Sequence, residues 1–226
     1  MEQEKRFNES LVKAQDNFIK HSIHEINTPL AVIMTHIDIY KMKNGENPYI
    51  SKIEAASKMI ANIYDDLGYM VKKDRLQYEK QWIDFTAFLQ ARILFFEEIA
   101  SGNCHKIVSK IENGIEIFFN DVELQRVIDN NLSNAIKYAK KETDIRVELI
   151  KEGDDAILKF ITHSKRIEDT KRIFEPFHRE EDMEIGFGLG LEIVGGICKK
   201  EGVEMIVDSG EKTTLFAYRF KPGSER

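Results

Sequence analysis

Three stretches of this 226-residue chain bring together side chains whose types and spacing could do chemistry. In 18-FIKHSIHEINTPLAVI-33, His24 stands beside Glu25. Imidazole is a nucleophile near neutral pH because its unshifted pKa is about 6.5, and an adjacent carboxylate can take its proton. Thr28 lies one turn further on the same side of a helix. Pro29 removes the hydrogen bond to the carbonyl of Glu25, which loosens the helix where a donor must approach. His-Glu also begins the HExxH zinc pattern, but the position four after His24 is Thr28, which excludes it. The second stretch, 130-NNLSNAIKY-138, places Asn130 and Asn134 one turn apart, with Lys137 and Tyr138 in the next turn. Carboxamides facing one way can hold a hydrated cation, and a lysine beside them can contact phosphate. The third, 186-GFGLGLEIV-194, opens an apolar helix with Gly186, Gly188, Leu189 and Gly190. Glycines admit close backbone approach to phosphate, and a helix N-terminus adds amide donors and a favourable dipole.

The elements that must carry these groups change character along the chain. From about Phe7 to Asp74, Ile19, Ile23, Ile26, Leu30, Ile33, Ile37 and Tyr40 follow one another at steps of three and four, as do Ile50, Ile53, Ile60, Ile63, Leu67 and Met70. That is a heptad seam. The turn 44-NGENP-48 divides it, with Pro48 placed to begin a second helix. Two such helices bury only part of their apolar surface, so the expectation is an antiparallel hairpin that dimerises into a four-helix bundle. His24 follows the seam residue Ile23 and so lies at the stripe's edge. Beyond Arg75 short β-like runs appear at 107–111, 115–119, 145–150, 156–162, 203–208 and 213–220, with helices between them near 85–100, 122–140 and 189–200. The pair 145–150 and 156–162 reads as a β-hairpin across 152-EGDD-155. The predicted fold class is α+β and multidomain: a helical hairpin at 1–74 and an α/β sandwich at 75–226, with helices on one face of a sheet.

Composition narrows the partners. The net charge of −6 argues against nucleic acid or an anionic membrane surface. No apolar run approaches the ~20 residues that cross a bilayer, and the first residues lead into a charged helix rather than a signal peptide. Cys104 and Cys198 stand in no metal or redox spacing, which suits a reducing cytoplasm.

The three stretches, in this order, resemble the sensor histidine kinases of two-component systems, over nearly the whole chain from about Phe7 to Phe220. HEINTPL is similar to their H-box, with Asn27 where a basic residue is common. Residues 130–138 resemble the N-box shared with the wider GHKL ATPases, 173-IFEPFHR-179 the F-box, and 186–194 the glycine box. The resemblance implies a Bergerat-type ATP-binding domain at 75–226 and a dimerisation and phosphotransfer domain at 1–74. It implies that Asn134 binds Mg²⁺, that Asn130 and Lys137 contact metal or phosphates, and that Tyr138 lines the nucleotide pocket. Phe174 and Phe177 would anchor the ATP lid, Arg179 would belong to the nucleotide-binding set, and Gly186, Gly188, Leu189 and Gly190 would form the lid's glycine box. His24 would take the γ-phosphoryl group of ATP with Glu25 as its base, then pass it to an aspartate of a response-regulator receiver domain. Thr28 would orient water for dephosphorylating that partner. The family is homodimeric, and its membrane-anchored members hold this part in the cytoplasm.

One box departs from the pattern. Where the family has Asp-x-Gly-x-Gly, whose aspartate accepts from the adenine amino group, this chain has Thr162, Ser164 and Arg166 within 162-THSKRI-167. A hydroxyl lacks the carboxylate's charge, so the exchange should cost about 1 kcal/mol or more, roughly tenfold in adenine recognition. The segment 210-GEKTTLF-216 keeps Thr213 and Thr214, with Lys212 in place of a usual glycine. The expectation is therefore a kinase with an intact phosphate end and weak or relaxed base preference; the alternative is a nucleotide-impaired chain acting as phosphatase or dimeric docking module.

Overall fold

The computed structural model describes residue 22 and residues 25–72, 79–175 and 189–223. The chain divides into two compact units, Met1–Gln77 and Tyr78–Arg226.

In the first unit, α1 spans residues 25–44 and α2 spans Pro48–Lys72. Gly45, at φ +76°, ends α1 in the left-handed conformation, which glycine adopts without strain. Asn47 then caps α2: its Oδ1 accepts from the amide of Tyr49 at 2.8 Å, and Pro48 fills the first helical position, where no amide is needed. Lys41 reaches Glu54 across the turn at 2.6 Å, and Lys58 meets the same carboxylate at 2.6 Å. The seam is only half buried. Leu30 and Ile37 are enclosed, whereas Ile33, Tyr40, Ile53 and Ile60 keep between 37% and 48% of their surface exposed.

The bonds from Lys41 and then Lys58 hold the Glu54 carboxyl below the ordinary carboxylate value. Because the folded value lies below the unfolded one, this contribution is complete above the unfolded pKa and is lost as pH falls through the folded one. Melts of the chain between about pH 6 and pH 3 should therefore show acid destabilisation of these helices that Glu54→Gln reduces.

The second unit is an α+β fold. Strands β1 (Gln81–Asp84), β2 (Lys106–Ile111), β3 (Glu116–Phe119), β4 (Asp144–Glu152), β5 (Asp155–Thr162), β6 (Glu204–Ser209) and β7 (Thr214–Phe220) are interspersed along the chain with helices α3 (Phe85–Gly102), α4 (Asp121–Tyr138) and α5 (Gly190–Glu201). The main sheet has the order β2-β4-β5-β7-β6; β2 and β4 run parallel and the other pairs antiparallel. The β4–β5 hairpin forms as the sequence predicts, with Glu152 opposite Asp155 and Gly153 at φ +64°. Alternation along β4 buries Ile145, Val147 and Leu149 completely, and Leu89 of α3, Leu132 of α4 and Ile193 of α5 are buried as fully.

A feature beyond the sequence prediction is the separate pair β1–β3. Its Phe119 makes an edge-to-face contact with Phe220 of β7 at 5.5 Å, and Phe85, the first residue of α3 after β1, meets the same ring at 5.2 Å. Among the described residues no helix is long and apolar enough to cross a membrane.

Candidate functional site

Helix α4 starts where Asn120 accepts from the amide of Glu123 at 3.0 Å. Its stripe Leu124, Val127, Ile128, Leu132, Ala135 and Ile136 is buried, and this fixes the helix's rotation. Asn130, Asn134 and Lys137 then fall at the margin of the stripe, half-buried along one side. Helix α5 lies antiparallel to α4: Lys200 near its end pairs with Glu123 at 2.7 Å, and Gly190 at its start meets Asn130. The N-terminus of α5, with its amides and dipole, therefore lies beside the carboxamide row of α4. A Cβ on Gly190 would stand 2.3 Å from Oδ1 of Asn130, so this approach requires glycine. The Asn130 amide donates to the carbonyl of Arg126 at 3.0 Å, which leaves its oxygen turned to the α5 side. Leu189 is buried and its carbonyl accepts from Ile193. In the last turn Lys137 donates to the Tyr138 hydroxyl at 3.0 Å and rests 4.7 Å from the ring centroid.

The C-terminal end of α4 meets the end of β5. Ala139 bridges Ser164, and the Lys140 amide donates to the carbonyl of His163 at 2.7 Å. Thr162 closes β5 on the helix-facing side that also carries Leu158 and Phe160, and is 8% exposed. Thr162, Thr214 and Ser209 lie side by side across β5, β7 and β6. Ser164 donates to Oγ1 of Thr214 at 2.7 Å, Thr214 and Ser209 share a bond of 2.8 Å, and the Ile167 amide donates to Ser209 at 2.9 Å. Thr214 is 2% exposed, so its hydroxyl is held inside this chain of bonds.

Phe174 packs on the face of α5: a Cβ on Gly195 would lie 3.3 Å from its ring. It also lines a groove of about 340 Å³ with Thr170, Lys171, Met205 and Val207; Asn130, Asn134, Lys137 and Thr162 are not part of that groove. Glu25 and Thr28 are exposed on α1, one turn apart. His24, Phe177, Arg179, Gly186 and Gly188 lie outside the described residues.

A residue that the sequence prediction passed over is Asn131. It occupies the apolar stripe of α4, 3% exposed, where its Oδ1 accepts from the Tyr218 hydroxyl at 2.9 Å and its amide donates to the carbonyl of Val127 at 2.7 Å. Burial, more than the neighbouring Cys198, pushes the Tyr218 phenol far up, so it stays a neutral donor. The same surroundings push the Cys198 thiol up to about 12. Alkylation of the native chain at mildly alkaline pH should therefore mark exposed Cys104 and spare Cys198 until the chain is unfolded; equal labelling of both thiols would contradict this packing.

Residues 120–223 match the family model described as histidine kinase-, DNA gyrase B-, and HSP90-like ATPase. The chain is 22% identical over 203 residues to the sensor protein DltS of Streptococcus agalactiae, covering 85% of this chain and 50% of that protein. With the sensor histidine kinase WalK of Bacillus subtilis it shares 22% identity over 235 residues, 96% of this chain and 38% of that protein. The chain thus spans half or less of the length of these relatives. In fold it is similar to the Acinetobacter baumannii histidine kinase AdeS, with a TM-score of 0.64 at 16% identity, over 89% of this chain and 98% of that one.

Proposed function

We propose that this chain is a sensor histidine kinase with a GHKL ATP-binding domain, a reading that the family match over residues 120–223 and the likeness to DltS and WalK support, and that it transfers the γ-phosphoryl group of ATP to His24, and from there to an aspartate of a response-regulator receiver domain. The observation that carries the reading is the meeting of Asn130 with Gly190, which sets a helix N-terminus beside a row of carboxamides and Lys137. Amides, a helix dipole and an ammonium together suit a polyphosphate. The retained Asn134, Lys137 and Gly190 favour the kinase over a docking module.

The residues fit Mg²⁺ as well as phosphate. Among the described residues no cluster of three or more His, Cys, Asp or Glu could hold a metal, so a cation here would take amide oxygens, which are hard ligands of the kind Mg²⁺ accepts. Asn134 would hold it, and when bound it neutralises charge on the phosphates. Lys137 would exchange its hydrogen bond and cation–π contact with Tyr138 for a charge-assisted bond to a phosphate oxygen. Tyr138, 46% exposed, then offers its ring at the mouth of the site.

In the transfer, Nε2 of His24 bonds to the γ-phosphorus as the bond to the ADP oxygen breaks, and Glu25 accepts the proton of Nδ1. In the reverse role Thr28 orients the water that dephosphorylates the partner. The half-exposed seam residues Ile33, Tyr40, Ile53 and Ile60 support dimerisation into a four-helix bundle. The division of labour is then 1–74 for dimerisation and phosphotransfer and 75–226 for ATP binding, in a cytoplasmic portion of a membrane-anchored receptor.

The experiment is incubation of the chain with γ-labelled ATP and Mg²⁺ beside His24→Gln. Acid-labile, base-stable label on the parent and none on the variant is expected; an unlabelled parent, or an equally labelled variant, would overturn the reading.

A further inference from the structure

The end of the sheet that adjoins α4 is lined by hydroxyl groups. Thr162, Thr214 and Ser209 form a cross-strand row on its helix-facing side, and Ser164 follows just beyond β5. No carboxylate stands in this row. Among the described residues Ser164, Thr214 and Ser209 bond to one another and to the Ile167 amide. Ser164 donates to Thr214, Thr214 and Ser209 share the next bond, and the Ile167 amide donates to Ser209. Thr162 sits beside this chain of bonds and is not a member of it.

A carboxylate only accepts hydrogen bonds, whereas a hydroxyl donates or accepts according to how it rotates. A purine base presents at its position 6 either an amino group, a donor, or an oxo group, an acceptor. We propose that the Thr162 hydroxyl meets both, so that this site takes GTP about as well as ATP. The proposal rests on the reading that the cleft of α4 and α5 holds a nucleoside triphosphate, and it deepens that reading by naming the substrate class as purine nucleoside triphosphates. The phosphate end, built from Asn130, Asn134, Lys137 and Gly190, does not distinguish bases and supplies the shared affinity. Selectivity at position 6 then depends on Thr162. An added carboxylate there would welcome the 6-amino group and repel the 6-oxo group.

The test is calorimetric titration of the full chain with ATP, GTP and tripolyphosphate in the presence of Mg²⁺. ATP and GTP affinities within about threefold are expected, because neither base loses a hydrogen bond at Thr162. Thr162→Asp should shift the ratio toward ATP by roughly tenfold or more, through tighter ATP and weaker GTP. Thr162→Val should weaken both nucleotides alike and leave tripolyphosphate unchanged. A parent chain that prefers ATP by about a hundredfold would overturn the proposal without any variant, as would an unchanged ratio in folded Thr162→Asp. If neither nucleotide nor tripolyphosphate binds, the nucleotide reading itself fails; tripolyphosphate and ATP binding without GTP sinks only the inference about the base.

Discussion

Replacing Gly190 with alanine should cost the chain most of its ATP affinity while leaving its melting temperature unchanged or slightly higher. The new Cβ would stand 2.3 Å from Oδ1 of Asn130, far inside contact distance. The movable partner is the Asn130 side chain, so it swings away and gives up both its bond to the Arg126 carbonyl and its place beside the start of α5. Losing a hydrogen bond to a charged ligand costs about 1.5–3 kcal/mol, or roughly 10- to 100-fold in affinity. Alanine meanwhile restricts the unfolded chain and favours helix by up to about 1 kcal/mol. Affinity and stability therefore move apart, which distinguishes a ligand-facing glycine from one needed only for folding. A parallel loss in both, read by titration and thermal melting, would show that Gly190 serves packing alone.

The second large effect lies one residue away. Asn131→Leu should lower the melting temperature of the Tyr78–Arg226 unit by roughly 2–10 °C, because it leaves the fully buried Tyr218 hydroxyl without its acceptor at a cost of about 1–3 kcal/mol. Tyr218→Phe should destabilise by a similar amount, now through the Asn131 oxygen. The double variant replaces both polar partners with apolar groups and should recover most of the loss. If the two effects simply add, the 2.9 Å bond between them is not what holds them. Phosphate binding offers a further readout, since the bond ties the rotation of α4 to β7 and so aims Asn130 and Asn134.

The two partners of this bond differed in how well they could be read. Helix α4 was legible because its apolar positions recur at three and four, and the same count places Asn131 inside the stripe. Its neighbours Asn130 and Asn134 carry the spacing that suggests chemistry, whereas Asn131 falls on an apolar position and signals only that a buried polar partner is needed. Tyr218 lies 87 residues away, and nothing local announces the pairing. The hydroxyl row is a similar case. Thr162 and Ser164 were marked as departures from a pattern, but Ser209 joins them only through the register of three strands.

The strand β1 escaped for a different reason. Its four residues are too few to show alternation, and Trp82 at its centre is 51% exposed. The helical seam was legible as a period, yet Ile33, Tyr40, Ile53 and Ile60 remain half-open within one chain. What covers such a face is set by a second molecule, which periodicity alone does not supply. His24, around which the chemistry of the sequence is arranged, lies outside the described residues, and so its case stands on HEINTPL and on the likeness to sensor histidine kinases.

On the proposed function, the cleft between the carboxamide row of α4 and the start of α5 holds the nucleotide's phosphates. Amide chemical-shift mapping of the isotope-labelled chain, titrated with Mg²⁺ and a non-hydrolysable ATP analogue, tests it most directly. The largest shifts are expected at Asn130, Asn134, Lys137 and Gly190, with a second group at Thr162 to Ser164. Saturable binding whose shifts gather instead around Thr170, Met205 and Val207, leaving α4 unmoved, would contradict it.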